Sequence, residues 1–263
     1  MKKKGKNIKP KRIKEYVEIC DRSYDYNKYG ALLKRYFAHR GVHNVYPENS
    51  LPAFQEAINL NLAIEIDVHL TKDNNLVVFH DDNLKRMTGV DDFVRFKTLS
   101  ELKQLNLDKT QFKIPTLKEV LNLVAGKTGI LLEIKTEGNT KRLCKKLVEE
   151  LKEYKGDVFI QSFNPFALRH FYKFAPHYLR GQLSSYFAED SLFWLKKIFV
   201  KTLAFNKFAH VDFVAYNIKN MPNKYVNKTK VPILSWSIKT KEEFLKARKV
   251  SNNLIIDDVN CIK

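Results

Sequence analysis

In the run Ala63–Leu70, AIEIDVHL, two carboxylates, Glu65 and Asp67, stand two residues apart between apolar neighbours. Strand side chains alternate faces, so a strand here puts Glu65 and Asp67 on one face and Ile64, Ile66 and Val68 on the other. Adjacent buried carboxylates repel and lose hydration. A bound cation is the usual remedy, and hard oxygen ligands suit Mg2+ or Ca2+. A solvent-facing strand with polar alternation would give the same pattern. The arrangement recurs, however, in Leu131-Leu132-Glu133-Ile134-Lys135, where Glu133 and Lys135 share a face. Two separate strands with inward charge argue against the surface reading. Glu133 then completes a set of three carboxylates, and Lys135 brings a positive charge to a phosphate. Two histidines close apolar runs: His39 in Phe37-Ala38-His39-Arg40-Gly41 and His80 in Val77-Val78-Phe79-His80-Asp81. An imidazole with an ordinary pKa near ~6.5 can serve as acid or base at neutral pH. Arg40 adds a planar fork suited to phosphate. His43, His69, His170, His177 and His210 lack such a setting and read as structural or surface residues.

These residues need elements to position them. Strand-like runs fall at residues 36–39, 63–70, 129–135, 158–163, 178–184, 213–217, 232–238 and 254–257. A further run at 76–80 follows 63–70 across a short polar linker, which predicts a hairpin. Helical patterns at 51–60, 117–124, 141–154, 165–174, 191–205 and 241–250 fill most gaps. Alternating strands and helices predict a parallel sheet. Eight main strands in a chain of 263 residues predict a single α/β domain, a closed (β/α)8 (TIM) barrel of typical size ~250 residues. A doubly wound open sheet is the alternative, but no Gly-rich dinucleotide fingerprint supports it. The stretch 81–115 reads as a small irregular insertion, and Asn49 or Ser50 as the cap of the helix at 51–60. Functional groups of such barrels gather at the C-terminal ends of strands. Gln161, Gln182, Tyr216 and Trp236 each lie near one and are expected to line the pocket mouth, with Trp236 and Gln161 against substrate.

Residues 1–35 form a basic N-terminal extension without clear period, and the barrel domain runs from 36 to 263. The extension opens with Lys2, Lys3, Lys4, Lys6, Lys9, Lys11, Arg12 and Lys14 before its first acid, Glu15. No apolar core follows, so it does not read as a signal peptide, and no run approaches the ~20 apolar residues of a spanning helix. The expectation is a cytoplasmic protein whose basic head is a solvated tail or a tether to anionic lipid at the inner membrane face. Forty-seven Lys and Arg against 29 Asp and Glu give a formal net charge of +18, which favours anionic partners. Specific nucleic-acid binding is not expected, since no recognition motif accompanies the charge. Three cysteines, Cys20, Cys144 and Cys261, without a CxxC pair, predict reduced thiols rather than a disulfide framework or a zinc ribbon.

The ordered motifs Ala38-His39-Arg40-Gly41, Pro47-Glu48-Asn49-Ser50, Glu65-Ile66-Asp67-Val68, Thr71-Lys72-Asp73, Val77-Val78-Phe79-His80-Asp81 and Leu84-Lys85-Arg86-Met87-Thr88-Gly89 resemble the glycerophosphodiester phosphodiesterase family, of the bacterial sort. Ile114-Pro115-Thr116-Leu117, Leu132-Glu133-Ile134-Lys135 and Gln161-Ser162-Phe163-Asn164 continue the likeness. The resemblance implies a (β/α)8 barrel that hydrolyses glycerophosphodiesters to glycerol 3-phosphate and an alcohol. It implies His39 and His80 as the acid/base pair, Glu65, Asp67 and Glu133 as ligands of one divalent cation, and Arg40 and Lys135 as phosphate-binding groups. The chain departs from the family at its last strand. A Thr-Asp-Tyr-Pro-like turn is often found there, and this chain reads Ile256-Asp257-Asp258-Val259.

Three other functions compete. A phospholipase D-like enzyme of the same superfamily would cleave lysophospholipids with the same groups and would need an apolar mouth. The basic, aromatic stretch 191–203 fits an interfacial helix or, more simply, an outer barrel helix. A nucleic-acid-binding protein would use the charge alone. A non-catalytic phosphodiester-binding barrel would need neither the two histidines nor the three carboxylates.

Overall fold

The computed structural model describes residues 24–186 and 200–262. Its strands are β1 (Phe37–Ala38), β2 (Ala63–Leu70), β3 (Leu76–Val78), β4 (Ile130–Ile134), β5 (Val158–Ser162), β6 (Arg180–Ser184), β7 (Phe213–Asn217), β8 (Ile233–Ile238) and β9 (Asn253–Ile256). All except β3 pair in parallel, in the ring order β1, β2, β4, β5, β6, β7, β8, β9, and β1 pairs with both β2 and β9 to close it. The barrel is therefore the predicted one. β3 turns back antiparallel on the end of β2, with Val68 opposite Val78, as the short linker required.

Alternation sorts each strand into two layers. Ile64, Ile66, Val68, Leu132, Ile134 and Ile160 face outward into the core shared with the helices. Phe37, Ala63, Leu131, Phe159, Phe213, Leu234 and Ile255 fill the inside of the barrel near its base. β6 contributes Gly181 there. A Cβ on Gly181 would lie 2.1 Å from the ring of Phe213, so the missing side chain makes room for the phenylalanine. The upper part of the barrel is left to the polar residues of the same parity.

Two elements differ from expectation. Residues 26–33, expected within an aperiodic leader, form a helix, α1 (Tyr26–Leu33). Asp25 caps it, and Tyr29 and Leu32 pack against the inner barrel layer. Asn253 Nδ2 donates to the carbonyls of Leu32 and Arg35 and ties this helix to β9. The helix between β1 and β2, α2 (Leu51–Asn59), is capped by Ser50, one of the two candidates expected there. The stretch 81–115 is not irregular throughout. It holds α3 (Lys85–Thr88), a 3-10 turn at Val94–Phe96 and α4 (Leu99–Gln104), gathered over their own apolar cluster of Phe79, Leu84, Met87, Val94 and Leu102. The outer helices α5 (Leu117–Val124), α6 (Thr140–Leu151) and α7 (Pro165–Phe174) lie where the periodicity puts them. A short α8 (Lys224–Asn227) occupies the β7–β8 connection, and α9 (Lys241–Val250) matches the last helical pattern. Most of the expected helix at 191–205, residues 191–199, lies outside the described residues, as does Cys20. Cys144 and Cys261 are free and buried. Among the described residues no helix is long and apolar enough to cross a membrane.

Candidate active site

Parallel register sets the centre of the site. Asp67 on β2 is level with Glu133 on β4, and Glu133 with Gln161 on β5. Glu65 lies one inward position below Asp67. One oxygen from each of Glu65, Asp67 and Glu133 lies within 4.8 Å of the others, and all three side chains are buried. Lys135 Nζ stands between two of them, 2.8 Å from Asp67 and 2.9 Å from Glu133. Arg40 adopts a left-handed backbone, φ 55°, that turns its own N–H onto Glu65 Oε2 at 3.1 Å. Its guanidinium meets Glu48 at 3.1 Å and Asp67 at 3.5 Å. Such a conformation is costly for a residue with a Cβ and persists where surrounding contacts enforce it. The next residue, Gly41 (φ 79°), has no room for a Cβ, which would stand 2.8 Å from the Ala53 backbone.

Buried like charges move the acidities in predictable directions. Burial raises Glu65 well above the usual carboxylate range, helped by Asp67 and Glu133. Burial also raises Glu133, against the pull of Lys135. Burial pushes Asp67 the same way, but Lys135, His80 and Arg40 outweigh it and hold that carboxyl low. Lys135 is raised: burial is outweighed by Asp67 and Glu133. The centre thus has more carboxylates than cations to balance them, and one carboxylate favours its proton. Gln161 donates to Glu65 at 3.1 Å, and its own Oε1 is buried without a hydrogen-bond partner. An all-oxygen set with surplus negative charge and an unmatched buried acceptor fits a hard divalent cation.

His39 and His80 flank this centre at the ends of β1 and β3. Each ring is held through Nδ1 by a carboxylate at 2.5 Å, His39 by Asp257 and His80 by Asp81. Asp81 is clamped by Arg86, which also binds Glu48, and Glu48 in turn holds Arg40. A chain of alternating charges therefore links His80 to Arg40. Burial lowers the pKa of His39, and hydrogen bonding to Asp257 only partly offsets this. A cavity of about 320 Å³ opens between the two histidines and is bordered by Arg40, Glu65, Glu133 and Gln161.

The structure brings His39, His80, Arg40, Glu65, Asp67, Glu133, Lys135 and Gln161 together. Trp236 also reaches the cavity. Its Nε1 donates to the Ala215 carbonyl at 3.0 Å, and its ring meets Phe163 edge-on at 5.6 Å. Gln182 and Tyr216 do not line the mouth. β6 turns Gly181 and Leu183 inward and β7 turns Phe213 and Ala215 inward, so both residues point out of the barrel. Gln182 caps the carbonyls of Ser162 and Phe163, and Tyr216 donates to that of Lys201. Lys135 borders a neighbouring cavity beside Thr71 and Asn139 and reaches the centre only through its ammonium. Two histidines expected as structural or surface residues are part of the site's frame. His43 Nε2 stands 3.3 Å from Asp257, and buried His69 lies 3.3 Å from the His80 carbonyl. Asn49, the alternative cap candidate to Ser50, is buried and donates to Asp67 Oδ2 at 2.8 Å. Asp81 and Glu48 have a signal in their motifs beside His80 and Arg40. Asp257 has none, because its partner is 218 residues away.

Fold and rim together define a (β/α)8-barrel protein with two histidines, three buried carboxylates and two cationic side chains gathered at its strand ends. The model of the glycerophosphoryl diester phosphodiesterase family matches residues 39–260, and the chain belongs to that family. It is 40% identical over 161 residues to a glycerophosphodiester phosphodiesterase of Caldanaerobacter subterraneus, a stretch covering 56% of this chain and 65% of that one. It is 36% identical over 136 residues to a lysophospholipase D of Rattus norvegicus, covering 47% of this chain and 42% of the other. The matched stretches thus span less than two thirds of these relatives' own lengths. Among solved structures, a phosphodiesterase of Oleispira antarctica in complex with the product sn-glycerol-3-phosphate superposes with a TM-score of 0.74 at 26% identity, over 86% of this chain and 93% of that one.

Proposed function

We propose that this protein hydrolyses glycerophosphodiesters to glycerol 3-phosphate and an alcohol, with His39 and His80 as the acid–base pair. The observation that supports this reading most is the pair of carboxylate-held histidines on either side of a three-carboxylate centre. In-line displacement at phosphorus sets the attacking and leaving oxygens apart, so proton removal and proton delivery need two groups at two places. Each Nδ1 is held by an aspartate, which leaves each Nε2 for chemistry. Arg40 stands over the centre and meets charge on the nonbridging oxygens. Glu65, Asp67 and Glu133 would hold one divalent cation, Mg2+ or Ca2+, which when bound supplies further charge for the phosphoryl oxygens. Lys135 pairs with two of those carboxylates, holds Asp67 low and adds its own positive charge to the phosphate side. Gln161 orients Glu65, and Trp236 with Phe163 walls the part of the cavity that would take the glycerol or alcohol moiety.

The test is release of glycerol 3-phosphate from glycerophosphocholine and glycerophosphoethanolamine, with and without a chelator. Release that stops on chelation and returns with Mg2+ or Ca2+ is the expected result. The edge-on pair of Phe163 and Trp236 supports a second reading, in which the alcohol carries an acyl chain. A lysophospholipid assayed in parallel separates the two. Faster turnover of the lysophospholipid would make it the substrate, and no turnover of any diester would overturn both.

A further inference from the structure

Where the family often carries a Thr-Asp turn, this chain places Asp257, and the structure puts its carboxylate on the ring of His39. We infer that Asp257 is a positioning residue that sets the tautomer of His39 and makes this histidine the base of the first step. The inference rests on the catalytic reading of His39 given above.

The geometry is held from both sides. The His39 backbone N–H donates to the Ile256 carbonyl at 2.8 Å, and that of Asp257 to the Ile238 carbonyl at 2.8 Å. β1 and β9 are thus locked in register immediately beside the contact. Asn44 reaches across to Asp258 at 3.1 Å and fastens the loop after β1 to the same turn. Between these fixed backbones, Asp257 Oδ1 lies 2.5 Å from His39 Nδ1. A carboxylate accepts only, so the proton of the neutral ring must be on Nδ1 and the lone pair on Nε2. A ring with that lone pair takes a proton from an attacking hydroxyl. A ring with the opposite tautomer does not. When His39 becomes an imidazolium, Asp257 stabilises the new charge without receiving the proton.

Three further groups face this carboxylate or the ring. His43 Nε2 stands 3.3 Å from Oδ1, Lys239 Nζ 3.3 Å from Oδ2, and Arg40 follows His39 in sequence. Burial would raise the pKa of Asp257, but the bonds from His39 and His43 outweigh this and hold it low. Burial and the Arg40 charge favour neutral His39 before the reaction. Asp81 does for His80 what Asp257 does for His39, but Arg86 binds Asp81 through both of its oxygens. The Arg86 charge draws on the carboxylate that would otherwise steady His80. Among the described residues no guanidinium pairs with Asp257; its other partners, the Lys239 ammonium and the His43 ring, stand farther off, each at 3.3 Å, than His39 at 2.5 Å.

The first measurement needs no variant. Nitrogen-15 chemical shifts of the neutral protein should show the His39 proton on Nδ1; a proton on Nε2 overturns the inference. The second is Asp257→Asn. Its kcat on glycerophosphocholine should fall about 10²–10⁴-fold, the range of a single acid–base contribution. Its binding of glycerol 3-phosphate should be unchanged, and the acidic limb of kcat/KM should move to lower pH, because His39 loses the charge that favours its protonation. Asp257→Glu should recover part of kcat. In a His39→Ala background, Asp257→Asn should cost nothing more, since its effect passes through the ring. A full additional loss in that background, or an unmoved acidic limb, overturns the role of Asp257. An active His39→Ala single variant instead overturns the catalytic reading, so the two failures are distinguishable.

Discussion

At the scale of single residues, carboxylate parity is the most legible feature of the chain. Glu65, Asp67 and Glu133 can be placed together from the sequence alone, because period-two alternation between isoleucines and leucines leaves one inward face. Their partners are less legible. Asn49 looks like a helix cap because Asn and Ser are interchangeable there, and only the left-handed turn at Asn49 sends its amide to Asp67 instead. The acid–base pair gives the sharpest prediction at this scale. His39→Ala and His80→Ala should each lower kcat by about 10²–10⁴-fold. Glycerol 3-phosphate should still bind to both, by calorimetry. A nitrophenyl diester, whose leaving group needs no proton, should restore turnover to His80→Ala and not to His39→Ala if His39 is the base. Rescue of both or of neither would sink that division of labour. The same contacts set a pH dependence of stability. His39 is lowered from its ordinary value and Asp81, Glu48 and Asp257 are held low by their partners. For each, the unfolded chain binds more protons than the fold, so stability rises with pH across its window. Glu65 and Glu133 are raised and work the other way between about 4.5 and neutral pH. The melting temperature should therefore fall most clearly below about 4, where unfolded carboxylates protonate and Asp81 and Asp257 lose their ion pairs. A melting temperature that does not fall as the pH drops below about 4 would contradict these assignments.

At the scale of elements, strands and outer helices are legible because their periods are long and clean, and the two failures have the same physical origin. α1 has eight residues, too few to show a period, and only Tyr29, Gly30 and Leu32 are buried. Its place under the barrel depends on contacts with Asn253 and Ile255, far away in sequence. α3 and α4 are of four and six residues and owe their order to a local apolar cluster rather than to amphipathic runs. Gln182 and Tyr216 show the cost of counting from a strand end without its register: one position decides inside from outside. Gly181 provides a direct test of that register. Gly181→Ala would drive a methyl into the ring of Phe213, 2.1 Å away, between two fixed strands. Overpacking of this kind costs about 1–3 kcal/mol, so denaturant unfolding should show a loss of that size. Gln182→Ala probes the outward face: it would leave buried carbonyls of Ser162 and Leu183 without their donor, at a cost of about 1–3 kcal/mol. An unchanged Gly181→Ala variant would mean that β6 faces the other way.

At the scale of the whole molecule, the formal charge of +18 is the feature that neither fold nor site requires. Residues 1–23 hold nine of the 47 Lys and Arg and three of the 29 Asp and Glu, so two thirds of the excess belongs to the remaining chain. The candidate centre itself is different: its buried carboxylates outnumber the cations beside them. On the proposed function, an anionic diester would approach through a positive field and dock beside carboxylates that a cation or a proton must first neutralise. Such a field raises the encounter rate of an anion and is screened by salt, with a Debye length of about 10 Å at 0.1 M. Cavity groups in direct contact with that substrate would be screened less. On the proposed function, kcat/KM for glycerophosphodiesters of net negative charge, such as glycerophosphoglycerol, should fall several-fold, roughly, between low and physiological ionic strength, while kcat stays constant. Zwitterionic glycerophosphocholine should respond less, since its choline charge opposes steering. Equal salt responses of the two diesters would show that the surface charge plays no part in capturing substrate. A fall in kcat as well would place the salt effect in the centre itself, among Glu65, Asp67, Glu133 and the charges beside them.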